Sequence, residues 1–176
     1  MKTPQHAPKR KRVPGVGHTL GSTMFGVTHH CFGCAPENRY GLHLRFQETP
    51  HNAGVECEFR VPRRFEGPPG HVHGGVIATI LDEAMGKVNR HKGVVALTRN
   101  MSIDYLQPVP LATKLYAVGW PIKVDGRKHF HAGEIRALDG TVLARSEGMF
   151  VAVEPAEMYR KYGQRLGTPN GQSGRS

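Results

Sequence analysis

The sequence predicts an α+β domain in which one long helix packs on a largely antiparallel sheet of about six strands. Three observations carry this expectation. Only one segment, Gly74 to Asn89, repeats apolar residues at helical spacing. Two segments before it and four after it alternate or are β-branched, as strands do. The last three of these are separated by two short polar turns, built on Asp125-Gly126 and Asp139-Gly140, where glycine supplies the positive φ of a tight hairpin.

Taken in order, Leu42, Leu44 and Phe46 alternate with His43, Arg45 and Gln47, predicting a half-buried first strand. Val55, Cys57, Phe59 and Val61 alternate with Glu56, Glu58 and Arg60 and predict a second. A cluster of Pro and Gly over residues 62 to 75 ends strand structure. In the helix, Ile77, Ile80, Leu81, Ala84, Met85 and Val88 form one apolar arc. Strands then follow over Val94 to Leu106, Lys114 to Val124, Lys128 to Ala137 and Thr141 to Val153, the last three as a meander. Residues 1–22 read as a basic tail, 23–154 as the domain, and 155–176 as a second tail with a short helical turn near Met158 to Tyr162.

The net charge of +10 belongs mostly to the ends. Residues 1 to 20 carry five Lys/Arg and no acid, and between residues 21 and 154 the excess is only +2. The run Lys9-Arg10-Lys11-Arg12 has no interleaved aromatics on which bases would stack, so no nucleic-acid partner is expected. No apolar run reaches the roughly 18 residues of a membrane span. Three cysteines and no secretory segment point to a reducing cytoplasm without a disulfide framework.

The chemistry gathers at GPPGHVHGGVIATILDEAMG, residues 67 to 86. A helix opening on His73-Gly74-Gly75 presents backbone N–H groups with no intrahelical partner and a partial positive charge. Glycine there lets a substrate oxygen approach the backbone. Such donors suit the oxygen that gains charge in acyl transfer, although a glycine loop can also serve packing alone. Two turns on, Asp82 sits at the edge of the apolar arc beside Ala78 and Met85, where partial desolvation makes a base or nucleophile. Glu83 falls on the opposite side with Thr79, Gly86 and Arg90 and reads as a solvent-facing charge.

With those residues in view, the chain resembles the hotdog-fold acyl-CoA thioesterases, in their PaaI-like (4-hydroxybenzoyl-CoA thioesterase-like) branch. His73-Gly74-Gly75 followed by Asp82 is similar to that family's helix start. CFGCAPENRYGLHLRF at 31 to 46 is similar to its "CFGCGPxNPxGLxL" opening, departing at Ala35, Glu37 and Arg39. The segment from Thr98 to Pro110 resembles the strand ending in "Y-x-x-P-v-P", and Asp125-Gly-Arg127, Gly140 and Ala144 to Phe150 match its last strands.

The resemblance implies a sheet wrapped around the helix and hydrolysis of an acyl- or aryl-CoA, with the thioester as substrate and no cofactor. Asp82 would be general base or nucleophile, Gly74 or Gly75 would polarise the carbonyl, and Thr98 would place the water or the carboxylate. His73 would brace the glycine turn. Arg127 and Lys128 are candidates for the phosphates of CoA. A homodimer or dimer of dimers is implied, with Thr98 facing Asp82 of the partner chain. The rival expectation is a non-catalytic acyl-CoA or fatty-acyl binding or sensing protein on the same fold. A hydratase fits less well, because its His and acid are spaced differently.

His29, His30, Cys31 and Cys34 invite a zinc reading. A structural zinc site usually draws on two separated pairs, and no second Cys-x2-Cys exists here. Cys57 lies in an alternating strand and is expected in the core. No metal is therefore expected, and the cysteines read as packing residues.

Overall fold

The computed structural model describes residues 23–24, 27–49 and 54–162; the basic tail at 1–22 and the end of the chain at 163–176 lie outside them. The elements are β1 (Thr23–Met24), β2 (Val27–Thr28), β3 (Gln47–Glu48), β4 (Val55–Phe59), α1 (Gly74–His91), β5 (Ala96–Tyr105), β6 (Leu115–Asp125), β7 (Lys128–Ala137), β8 (Val142–Ala152) and α2 (Pro155–Tyr162). β1 and β2 form a two-stranded sheet, and the others form six strands in the order β3-β4-β6-β7-β8-β5. Every pairing is antiparallel. This is the expected α+β layout, with the predicted meander from β6 to β8.

The first predicted strand is where the structure departs. Leu44 is buried and Leu42 and Phe46 pack against the core, so the alternation is real. Pairing nevertheless begins only at Gln47, opposite Glu56. His43 takes a left-handed φ of 54°, which breaks an extended run. The backbone N–H groups of Leu42 and Leu44 bond instead to the carbonyls of Phe32 and Gly33. The segment is a loop that folds the Cys31 turn against the rest of the domain.

α1 starts at its cap, His73, and crosses the inner face of the sheet. Ile80, Leu81, Ala84 and Met85 are fully buried, and Ile77 and Val88 nearly so, which is the predicted arc. Each large member contributes about 1.5–3 kcal/mol by leaving water. The close approach depends on Gly119 of β6, where a Cβ would lie 2.3 Å from the Ala84 carbonyl oxygen. Beyond the apolar arc, buried Asn89 meets His131 Nε2 of β7 at 2.9 Å. Burial holds His131 neutral, with its pKa lowered to about 4.

β5 follows the helix in sequence but lies at the edge of the sheet beside β8. Its outer side pairs with no strand among the described residues. Leu97 and Tyr105 are exposed along it.

Candidate active site

The site is built on one helix and the edge strand beside it. His73 ends the glycine loop in extended conformation, and its Nδ1 accepts the Gly75 N–H at 3.0 Å. The His73 carbonyl accepts the N–H groups of Val76 and Ile77. One donor remains: the Gly74 N–H, which has no hydrogen-bond partner among the described residues. The two glycines are thus unequal. Gly75 is tied to its own cap, and Gly74 presents the N–H that a ligand could reach.

Tyr105 Oη donates to the Gly74 carbonyl at 3.2 Å, joining the far end of β5 to the helix start. Sequence reasoning missed this contact, although Tyr105 is the tyrosine of the Y-x-x-P-v-P segment, because that spacing does not say which backbone group its hydroxyl meets.

Asp82 is half-buried at the other end of the same pairing, where Thr98 Oγ1 donates to Asp82 Oδ1 at 2.7 Å. Burial raises the carboxyl above its ordinary value, the Thr98 bond opposes that shift, and the charge of Glu83 adds to it. The expectation that Thr98 faces the partner chain's Asp82 needs correction, since Thr98 meets Asp82 of its own chain. The reason is a β-bulge. Strict alternation would send Thr98 and Tyr105 to opposite faces of β5, but the register shifts between Thr98 and Asn100. Arg99 is the extra residue, and both Thr98 and Tyr105 reach α1.

Thr98, Phe150 and His129 are register neighbours across β5, β8 and β7, and so are Leu97, Val151 and Lys128. Lys128 therefore lies about 10 Å from the Thr98 end, two strand spacings away. Arg127 sits at the adjoining turn and donates from Nε to the Ala152 carbonyl at 3.0 Å. Both cations are exposed. They share an end of the sheet with Asp82, while Gly74 lies eight residues up the helix, about 12 Å along its axis.

Glu83 corrects a second expectation. Its side chain is only 17% exposed, because the face opposite the apolar arc is covered by the Cys31 loop. Cys31 Sγ donates to Glu83 Oε1 at 3.2 Å, and Lys87 Nζ stands 3.4 Å from Glu83 Oε2 and 3.0 Å from Cys34 Sγ. A hydrogen bond from Cys34 pulls Cys31 down to about 7, and the same bond, with burial, pushes Cys34 well above the usual thiol value. The signal in the sequence was Lys87, four residues after Glu83 on a helix face otherwise being packed. Cys57 is buried in the core as expected.

Residues 69–144 match the thioesterase superfamily. Together with the six-stranded sheet and its single long helix, this places the region in that superfamily and gives the domain the hotdog fold. Acyl-coenzyme A thioesterase THEM4 of Rattus norvegicus is 34% identical over 102 residues, covering 57% of this chain and 44% of that protein. The chain spans less than half the length of this relative. A thioesterase superfamily protein of known crystal structure is 38% identical with a TM-score of 0.67, over 72% of this chain and 65% of that one. A Bacillus halodurans protein solved with CoA is 28% identical with a TM-score of 0.56, over 67% and 83%. No helix among the described residues is long and apolar enough to cross a membrane.

Proposed function

We propose that this chain is an acyl-CoA thioesterase that works as a homodimer. The observation that carries the reading is the half-buried Asp82, raised by desolvation and held by the Thr98 hydroxyl at 2.7 Å, with no cation beside it among the described residues. A carboxylate kept this way is basic and oriented, as a general base or nucleophile must be. As a base it takes a proton from water while the oxygen attacks the thioester carbonyl. As a nucleophile it attacks directly and forms an acyl-enzyme anhydride that water then opens. In either route the C–S bond breaks and CoA leaves as its thiol.

The carbonyl oxygen needs a donor, and the Gly74 N–H at the positive end of α1 supplies one. Within one chain that donor is about 12 Å from Asp82, too far to share one thioester group. A second copy resolves this. β5 has an unpaired outer edge, with Thr98–Asp82 at one end and Tyr105–Gly74 at the other. Antiparallel pairing of two such edges about a two-fold axis brings Gly74 of one chain toward Asp82 of the other. His73 fixes the loop through Gly75, and Arg127 and Lys128, at the Asp82 end, are placed to meet CoA phosphates.

A panel of aryl-, short-, medium- and long-chain acyl-CoAs, read by release of free thiol, tests the proposal. Turnover on at least one class, abolished in Asp82→Asn, is the expected result. Tight binding across the panel without turnover would favour an acyl-CoA sensor instead. An Asp82→Asn variant with near-normal turnover would remove Asp82 from the mechanism.

A further inference from the structure

A second cluster lies on the other side of α1 from Thr98. Cys31, Cys34 and Glu83 each place a donor atom within 4.8 Å of the other two, and all three are half-buried. The loop is shaped for this. At Gly33, between the cysteines, a Cβ would stand 2.4 Å from Glu83 Cγ and 2.6 Å from its Oε1, so a side chain there would evict the carboxylate. Ala35 N–H closes the turn on the Cys31 carbonyl at 3.1 Å, and Leu44 N–H ties Gly33 down at 2.9 Å.

We propose that Cys31, Cys34 and Glu83 form a binding site for a divalent cation of the zinc type. Two thiolates and a carboxylate are donors that zinc accepts, and Cys-x2-Cys is the spacing of half a structural zinc site. The third donor comes from a helix 49 residues beyond Cys34 in sequence, which is why no spacing rule showed it. Charge balance supports the choice. With both thiols ionised the three donors carry three negative charges, and a dication together with the Lys87 ammonium cancels them. Lys87, 9% exposed, approaches Cys34 as a hydrogen-bond donor and has no lone pair to offer a metal while protonated. A fourth position is left for water or a small ligand. Bound metal would fasten the 31–44 loop to the outer face of α1, adding to the hydrogen bonds that join Cys31 to Glu83 and Cys34 to Lys87.

The experiment uses the full chain, reduced and stripped with a chelator, then titrated with Zn2+ alone and with Cd2+ alone. One equivalent is expected to bind per chain, with a thiolate-to-cadmium charge-transfer band in the ultraviolet and a rise in melting temperature. Cys31→Ala and Cys34→Ala should each weaken binding at least about 100-fold, and Glu83→Gln about 10-fold. Lys87→Met should keep the one-to-one stoichiometry, because Lys87 is not a ligand. Cys57→Ala should leave the titration unchanged, its buried thiol not being one of the three clustered donors. Absence of saturable binding to the wild-type chain would overturn the site, whatever the variants do. Binding that survives Cys31→Ala/Cys34→Ala would overturn it too. So would a mass loss of two hydrogens in glutathione redox buffer with Zn2+ present, which would make the pair a disulfide couple.

Discussion

Asp82 and Glu83 are consecutive carboxylates on one helix, both half-buried, and their surroundings give them opposite characters. Glu83 has a buried lysine at 3.4 Å and a thiol donor at 3.2 Å, so its charge is matched. Asp82 has one neutral hydroxyl at 2.7 Å and a like charge next door. A buried charge with a cation is structural, and taking the partner away costs stability. A buried charge with only a hydroxyl is held in a less comfortable state, and that discomfort is its basicity. The lesson is that burial alone does not mark a reactive carboxylate; burial without a counter-ion does.

The largest test of this contrast is a pair of isosteric substitutions. Asp82→Asn should lower kcat about 10³-fold, roughly 4 kcal/mol in the barrier, with the melting temperature held or raised. Removing a desolvated charge relieves the folded state. Glu83→Gln, measured in chelator, should do the reverse to stability and cost about 2–3 kcal/mol, because Lys87 keeps its charge and loses its carboxylate. Thermal melts alongside thiol-release assays check both. Equal stability losses in the two variants would end the distinction.

Much of this could be read from the sequence, and the failures share a cause. The apolar arc from Ile77 to Val88 fixed the helix, and Asp-Gly pairs fixed two turns, because both are local signals. Asp82 was legible for the same reason, as a polar residue at the edge of an arc. Glu83 was misread because a helical wheel shows which side faces away from one neighbour, and the Cys31 loop supplied a second neighbour from 52 residues earlier. The resemblance paired Thr98 with Asp82 of the partner chain, whereas it meets Asp82 of its own chain across a bulge at Arg99, which leaves no mark in the sequence. Leu42 to Phe46 kept the periodicity of a strand without its pairing, since His43 turns the backbone.

The next effect concerns the hydroxyl. Thr98→Val keeps the shape of the side chain and deletes the donor to Asp82, which opposes the upward shift of its pKa. The carboxyl should therefore rise further, and the active carboxylate should be lost at higher pH as the solution is acidified. The acid limb of the kcat/KM profile should move to higher pH, and kcat at neutral pH should fall about 10-fold, near 1.4 kcal/mol. Thr98→Ser, which restores the donor, should bring the limb back. An acid limb unmoved by Thr98→Val would assign that limb to another group.

The smallest effect separates the two glycines. At Gly74 a new Cβ meets nothing nearer than 3.7 Å, at Tyr105, whereas at Gly75 it stands 3.3 Å from His73 Nδ1. Alanine normally stabilises a helix over glycine by up to about 1 kcal/mol. Gly74→Ala should realise a few tenths of that and still lower kcat about 5-fold, because its methyl group shades the one N–H left for the thioester oxygen. Gly75→Ala should gain no stability, since its methyl presses on the imidazole that accepts its N–H. Paired melts and kinetics decide the matter. A Gly74→Ala variant with full turnover would mean that the carbonyl is polarised elsewhere, and the helix start would then serve only to pack the loop.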